Sequence, residues 1–151
     1  MSYTISGLCG GCTACAKLCP VFAIEGERGG LHTINEKRCV ECGVCGRICS
    51  KDAVSDSAGK ICSRVKRSEW PVPVINTELC SACGICVNDC TKEALRISLP
   101  RFRGDIKVYA ELAGERRCVG CGICEKHCPL GLITMTQAAG QNMTEQPEAD
   151  R

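Results

Sequence analysis

Sixteen of the seventeen cysteines repeat one spacing, C-x2-C-x2-C-x3-C, four times along the chain. In chain order the motifs are Cys9-Cys12-Cys15-Cys19, Cys39-Cys42-Cys45-Cys49, Cys80-Cys83-Cys86-Cys90 and Cys118-Cys121-Cys124-Cys128. Thiolates with this spacing hold [4Fe-4S] clusters. Because the four repeats use every cysteine except Cys62, a chance pattern is negligible. The sequence therefore predicts four [4Fe-4S] clusters with these sixteen cysteines as ligands.

Disulfide bonds and structural zinc fit this spacing less well than clusters do. Disulfide frameworks do not repeat one short spacing four times. Structural zinc sites use C-x2-C pairs, but a third cysteine two residues further on and a fourth after three residues is not zinc-ribbon spacing. The repeated spacing favours clusters over both.

The fourth cysteine of each motif predicts how the motifs cooperate. It follows after three residues instead of two and is expected to open a short helix, so it points away from its own cluster and reaches a second one. The steps of 30 residues from motif one to two and of 38 from three to four bracket compact hairpins, which favours pairing within each half. The predicted ligand sets are Cys9, Cys12, Cys15 and Cys49; Cys39, Cys42, Cys45 and Cys19; Cys80, Cys83, Cys86 and Cys128; and Cys118, Cys121, Cys124 and Cys90.

The segments around the motifs predict an α+β fold in which short strands flank short helices. Turn residues separate two apolar segments in each half, which indicates a hairpin between its two motifs. The predicted hairpin segments are 22–25 with 31–35 and 94–99 with 106–111, and the predicted opening strands are 2–5 and 72–76. The predicted domains are a two-cluster module at 1–58, a linker or docking segment at 59–71, a second two-cluster module at 72–136 and a polar tail at 137–151, which we expect to be disordered.

Residues 2–136 resemble the four-cluster polyferredoxin subunits of anaerobic oxidoreductases, and each half resembles a bacterial two-cluster ferredoxin. Pro20 and Pro129 follow the fourth cysteine as in that family, whereas Ser50 and Thr91 stand at the same place in the other two motifs. The resemblance implies tandem bacterial ferredoxin-like modules. It also offers an alternative pairing, of motif one with four and two with three, as in the cluster subunits of dimethyl-sulfoxide-reductase-like enzymes.

The same resemblance implies an electron-transfer subunit without catalysis of its own, because four thiolates per cluster leave no open iron. Such a subunit relays single electrons between a large catalytic subunit and a flavin subunit or ferredoxin-type acceptor. In our first hypothesis the catalytic subunit is a tungsten- or molybdenum-dependent aldehyde oxidoreductase. Formate dehydrogenases, hydrogenases and benzoyl-CoA reductases use similar subunits. The alternatives are a free soluble polyferredoxin that shuttles electrons between enzymes, and a non-redox cluster protein. Thiolate ligation predicts potentials on the order of −400 mV.

The segment between the halves has two interpretations. It combines the only tryptophan, Trp70, with the spare Cys62 and four basic residues, Lys60, Arg64, Lys66 and Arg67. The basic residues belong either to a solvated linker or to a docking surface, since tryptophan and arginine are enriched in interface anchors. Alternatively, Trp70 is a core residue at the junction of the halves, in which case Arg67 should matter little. We expect Cys62 to be a buried free thiol.

The two histidines are predicted to have minor roles. His32 lies in a hairpin and is expected to be an ordinary surface residue. His127 lies inside motif four and should point outward, with a hydrogen bond to cluster sulfur as the alternative.

Composition limits the remaining possibilities. Cysteine accounts for 17 of 151 residues, so too few apolar side chains remain to fold the chain by burial alone, and folding should depend on cluster insertion. Dispersed basic residues and few aromatic ones disfavour nucleic-acid binding. No apolar stretch reaches the length of a membrane span, and the first residues lack a signal-peptide pattern, so we expect a cytoplasmic protein.

Overall fold

The computed structural model describes residues 2–137. Within that range the regular elements are four five-residue helices, eight short strands and one 3-10 turn at Arg67–Glu69. The helices are α1 (Ala14–Leu18), α2 (Val44–Ile48), α3 (Ile85–Asp89) and α4 (Ile123–His127). The strands are β1 (Thr4–Ile5), β2 (Ile24–Glu25), β3 (Thr33–Ile34), β4 (Val54–Ser55), β5 (Pro71–Ile75), β6 (Leu95–Ile97), β7 (Ala110–Leu112) and β8 (Ile133–Gln137).

The strands pair in the same antiparallel order in both halves. In the first half β1 pairs with β4 and β2 with β3, and in the second half β5 pairs with β8 and β6 with β7. Each half therefore has one sheet that joins its beginning to its end and one hairpin between its cysteine motifs. This is a small ferredoxin-like α+β fold, as predicted, and both predicted hairpins are confirmed. The second hairpin has the longer loop, because β7 begins at Ala110 instead of at 106.

Each helix ends at the fourth cysteine of its motif, whereas the sequence led us to expect that this cysteine would open a helix. Cys19 and Cys128 are extended, with ψ of 118° and 112°. Cys49 and Cys90 are extended as well, with ψ of 117° and 93°, although Ser50 and Thr91 follow them, so the helix ends do not require a proline. Pro20 and Pro129 reinforce two of these ends, because proline disfavours helical geometry at the residue before it. The extended backbone carries the fourth cysteine away from its own helix.

The hydrophobic core is divided into three small clusters of side chains. One lies in the first half around Ala23, Ile24 and Val54, and one in the second half around Leu95 and Ala110. Cysteine side chains form part of both clusters. Five-residue helices have no stability of their own in water, so these elements depend on their packing around the cysteines.

The third hydrophobic cluster joins the two halves, and in it Trp70 packs with Val44 and Val119. Trp70 is only 2% exposed, and its Nε1–H donates to the Val65 carbonyl at 3.0 Å. The Arg67 guanidinium lies 4.1 Å from the centroid of the Trp70 ring. We call this contact region the seam. Because its own chain covers Trp70, the residue is a core residue of the seam and is not available as a docking anchor.

Arg67 also contacts the second half at the seam, which the sequence did not predict. Its Nη2 donates to the carbonyls of Cys118 at 2.6 Å and of Arg116 at 2.9 Å. That the substitution of Arg67 has a small effect stays a prediction.

Gln137 and Cys62 differ from what the sequence led us to expect. Gln137, assigned to the polar tail, is the last residue of β8 and pairs with Pro71, while the remainder of the predicted tail, 138–151, lies outside the described residues. Cys62 is half-buried instead of buried, and its Sγ lies 3.9 Å from the Lys60 carbonyl oxygen.

Candidate metal centres

Four cavities of about 310 to 410 Å³ are each lined by four cysteines, and we number them after the motif that contributes three of them. The sets are Cys9, Cys12, Cys15 and Cys49 in the first cavity; Cys39, Cys42, Cys45 and Cys19 in the second; Cys80, Cys83, Cys86 and Cys128 in the third; and Cys118, Cys121, Cys124 and Cys90 in the fourth. The structure thus brings together motifs within one half and not the nested pairs of motifs. Ligation of clusters by these sets stays a prediction.

Backbone geometry shapes every motif in the same way. The residues on both sides of the second cysteine have positive φ, between 53° and 79°. They are Gly11, Thr13, Glu41, Gly43, Ala82, Gly84, Gly120 and Gly122. Turns of this kind direct backbone N–H groups into one concavity, which binds anionic groups. Three of these residues are not glycine, and they adopt an unfavourable conformation that the loop imposes.

A second repeated turn supplies a hydrogen bond to each fourth cysteine. The third residue after it has positive φ, and the N–H of the next residue donates to its Sγ at 3.3–3.4 Å. The pairs are Ala23 with Cys19, Ala53 with Cys49, Ala94 with Cys90 and Leu132 with Cys128. We did not predict these donors from the sequence, although alanine recurs four residues after the fourth cysteine in three motifs.

The thiols require a cation to become ligands. Burial, and then the charge of neighbouring thiolates, raise the pKa of Cys45 and Cys124 to about 12. Burial also raises the pKa of Cys15, Cys42, Cys86, Cys118 and Cys121. Without metal these thiols stay protonated at neutral pH, so metal binding must release their protons.

The arrangement fits a cluster better than a single ion. Within residues 2–137, no three side chains of the Cys, His, Asp and Glu types converge closely enough to bind one metal ion. Instead, four sulfurs surround each cavity, and N–H donors approach the sulfurs from the backbone. An all-thiolate set with N–H donors is the environment of [4Fe-4S] clusters, in which such hydrogen bonds adjust the reduction potential.

His32 belongs to the first cavity, so its assignment to the surface was wrong. The side chain lines this cavity and is buried, at 1% exposure, because the hairpin turn folds it inward against Gly26. Its Nδ1 lies 3.1 Å from the Gly30 carbonyl oxygen and 3.8 Å from Cys9 Sγ. No local pattern indicated this burial, since a polar residue in a short hairpin is usually exposed.

His127 is exposed, as predicted, and its Nδ1 lies 2.6 Å from Asp89 Oδ2. This contact joins α4 to α3 at the surface. Because the imidazole pairs with a carboxylate there, the alternative of a hydrogen bond from His127 to cluster sulfur finds no support.

No helix in the described range, 2–137, has the length and hydrophobicity required to cross a lipid bilayer. The helices that position the cysteines are single turns.

Comparison with known proteins agrees with the chemistry of the cavities. Residues 79–133 match the family described as the 4Fe-4S dicluster domain. A 49-residue segment is 39% identical to NADH-quinone oxidoreductase subunit I of Acinetobacter baylyi and of Pseudomonas putida, and covers 32% of this chain. The match spans only 27% of the length of those relatives.

Among solved structures, the chain is similar to part of a formate dehydrogenase–heterodisulfide reductase–formylmethanofuran dehydrogenase complex from Methanospirillum hungatei. The TM-score is 0.44 at 20% identity, over 84% of this chain and 47% of the other.

Proposed function

We propose that this iron–sulfur protein holds four [4Fe-4S] clusters and relays single electrons within a multi-subunit oxidoreductase. The observation that supports this most strongly is the set of four sulfur-lined cavities. Residues 1–58 and 72–136 are two-cluster modules, and 59–71 joins them through the seam. The sixteen motif cysteines are the ligands, in the sets that line the cavities.

Packing of the elements suggests an order for the clusters. Within each half the two motif helices contact each other, α1 with α2 and α3 with α4, which places the first cavity beside the second and the third beside the fourth. Across the seam, Cys42 of the second cavity and Cys121 of the fourth both pack against the third hydrophobic cluster. Arg47 Nη2 also donates across the seam to the carbonyls of Val119 and Gly120. Electrons would therefore pass along the cavities in the order first, second, fourth, third.

Exposure of the thiols agrees with this order. Cys12 in the first cavity and Cys83 in the third are exposed, whereas Cys42 and Cys121 at the seam are half-buried. Electrons would thus enter and leave at the two ends of the line. A relay of four clusters is useful where two partners lie too far apart for direct transfer.

The partners in this proposal are a large catalytic subunit at one end and a flavin subunit or ferredoxin-type acceptor at the other. Relatives that are, by name, subunits of NADH-quinone oxidoreductase support a role as a subunit. A catalytic subunit with a tungsten or molybdenum cofactor is our specific hypothesis. The chain itself would bind no substrate, because four thiolates complete each cluster.

Anaerobic metal analysis combined with reductive titration tests the proposal. Four clusters predict about 16 iron atoms per chain and uptake of about four electrons, with reversible bleaching by dithionite. Purification from the native organism should yield the chain together with a large subunit. About 8 or 12 iron atoms, or clusters that dithionite does not bleach, would overturn the proposal, and a chain that purifies alone would support a free polyferredoxin instead.

A further inference from the structure

The two hairpins place different residues at equivalent positions beside the end cavities. Ile34 in β3 pairs with the first residue of β2, and Leu112 in β7 pairs with the first residue of β6, so these two residues are equivalent. His32 and Ala110 each lie two residues earlier and are therefore equivalent as well. Both are buried, at 1% and 2% exposure. His32 lines the first cavity and Ala110 lines the third. An imidazole therefore stands in the first half where the second half has a methyl group.

Both equivalent residues approach the first cysteine of their cavity. The backbone N–H of Ala110 donates to Cys80 Sγ at 3.4 Å, whereas His32 Nδ1 lies 3.8 Å from Cys9 Sγ. His32 Nδ1 also lies 3.1 Å from the Gly30 carbonyl oxygen, which can only accept, so this nitrogen bears hydrogen. The N–H is thus shared between a carbonyl and a cysteine sulfur. A side-chain donor in the first half takes the place of a backbone donor in the second.

The burial of this imidazole has a cost that packing does not explain. His32 Nε2 is buried and has no hydrogen-bond partner among residues 2–137. An unpaired buried polar atom is destabilising, and an apolar side chain of similar shape would avoid the penalty. The chain also makes room for the ring, because a Cβ on Gly26 would lie 2.7 Å from His32 Cγ. A role of the imidazole in the cavity accounts for both features.

We propose that His32 is a positioning residue that raises the reduction potential of the first cluster through its hydrogen bond to Cys9 Sγ. The inference rests on the proposed function, since it requires a reducible cluster in the first cavity. Reduction adds negative charge, part of which resides on the ligand sulfurs. A donor to sulfur stabilises that charge and so raises the potential. Within residues 2–137, the donor to Cys80 in the third cavity is the backbone N–H of Ala110 and not a side chain.

Two substitutions distinguish the effect of hydrogen-bond donation by His32 from the effect of its side-chain size. His32→Leu places a methyl carbon where Nδ1 stands, and His32→Asn places an amide nitrogen there. In redox titrations of the full chain monitored by electron paramagnetic resonance, His32→Leu should shift one reduction step to lower potential and leave the other steps unchanged. His32→Asn should return that step toward the wild-type value. The step that is missing in Cys9→Ala identifies the first cluster. Equal shifts in both variants, or no shift in either, would overturn the inference.

Labelling of the histidines gives a second measurement that needs no substitution at His32. The chain has two histidines, so protein labelled with 15N-histidine contains one other candidate, the exposed His127. Electron spin-echo modulation of the reduced protein should show a histidine nitrogen coupled to a cluster, and His127→Gln should retain it. Loss of the coupling in His127→Gln, or reducible clusters without any histidine coupling, would contradict the inference. Absence of reducible clusters would instead overturn the proposed function.

Discussion

The two halves of the molecule share the backbone conformation of their cysteine motifs and differ in the hairpins between the motifs. In both halves the residues on either side of the second cysteine have positive φ, and a backbone N–H donates to the fourth cysteine. The first hairpin closes over 26–32 and buries His32, whereas the second extends over 98–109 and exposes Phe102 and Ile106. The backbone of the motifs is therefore alike in the two halves, while the hairpins differ.

The cysteine motifs and the hairpins meet different structural requirements. A cluster site tolerates little change in its loop, because four sulfurs and several N–H groups must meet around one cavity. The hairpin only has to return the chain to the next motif, so its residues can alter the environment of a cluster or contact a partner. The halves are thus alike in the loops that carry the cysteines and distinct in the hairpins that surround them.

The largest expected effect follows removal of the iron from the four proposed clusters, and we expect it in both halves. The cores of the halves contain only a few buried residues, several of which are cysteines, so the elements should lose their packing when the clusters are removed. Anaerobic oxidation with ferricyanide and a chelator should abolish slow hydrogen exchange throughout 2–137. Exchange protection that persists in either half after iron loss would show that this half folds without metal.

Trp70→Ala should have the next largest effect, since it opens a cavity in the seam. Loss of a buried aromatic side chain lowers the free energy of unfolding by about 3–5 kcal/mol. The variant should therefore lose its clusters at a clearly lower urea concentration than the wild type. Phe102→Ala is the matched control, because that ring is 63% exposed and its loss should change little. Equal behaviour of the two variants at matched iron content would show that the seam does not stabilise the molecule.

Gly26→Ala should disturb the first half alone. The added Cβ would clash with the His32 ring, and such overpacking costs about 1–3 kcal/mol. The potential of the first cluster should fall, as it should in His32→Leu, while the second half keeps its potentials. Gly7→Ala is the control, because nothing lies within 4 Å of a Cβ at that position. A uniform shift of all clusters in Gly26→Ala would argue against a local effect.

Arg67→Glu should have the smallest effect of the series. It removes a cation from the Trp70 ring and two hydrogen bonds to backbone carbonyls, and the cation–π contact alone contributes about 1 kcal/mol. Arg64 is exposed in the same segment, so Arg64→Glu should change the free energy of unfolding, followed as cluster loss in urea, by less than about 0.5 kcal/mol. Indistinguishable curves for the two variants would exclude Arg67 from the seam.

Periodic features were predictable from the sequence, and single contacts were not. The cysteine spacing predicted the thiol sets that line the cavities, and turn residues predicted both hairpins, because these features depend on local geometry repeated several times. The burial of His32 depends on contacts between segments, which no local pattern encodes, and for Trp70 the sequence left a buried role and a docking role open. The helix ends were predicted wrongly, and proline alone could not have located them, because two of the four helices end at cysteines that Ser50 and Thr91 follow.

Anomalous diffraction at the iron edge from anaerobically grown crystals tests the central claim most directly. We predict four [4Fe-4S] sites in a line, with Cys19 bonded at the site of motif two and Cys49 at that of motif one, and the corresponding exchange of Cys90 and Cys128 in the second half. Fewer than four iron sites, or Cys19 bonded at the site of motif four, would contradict the account.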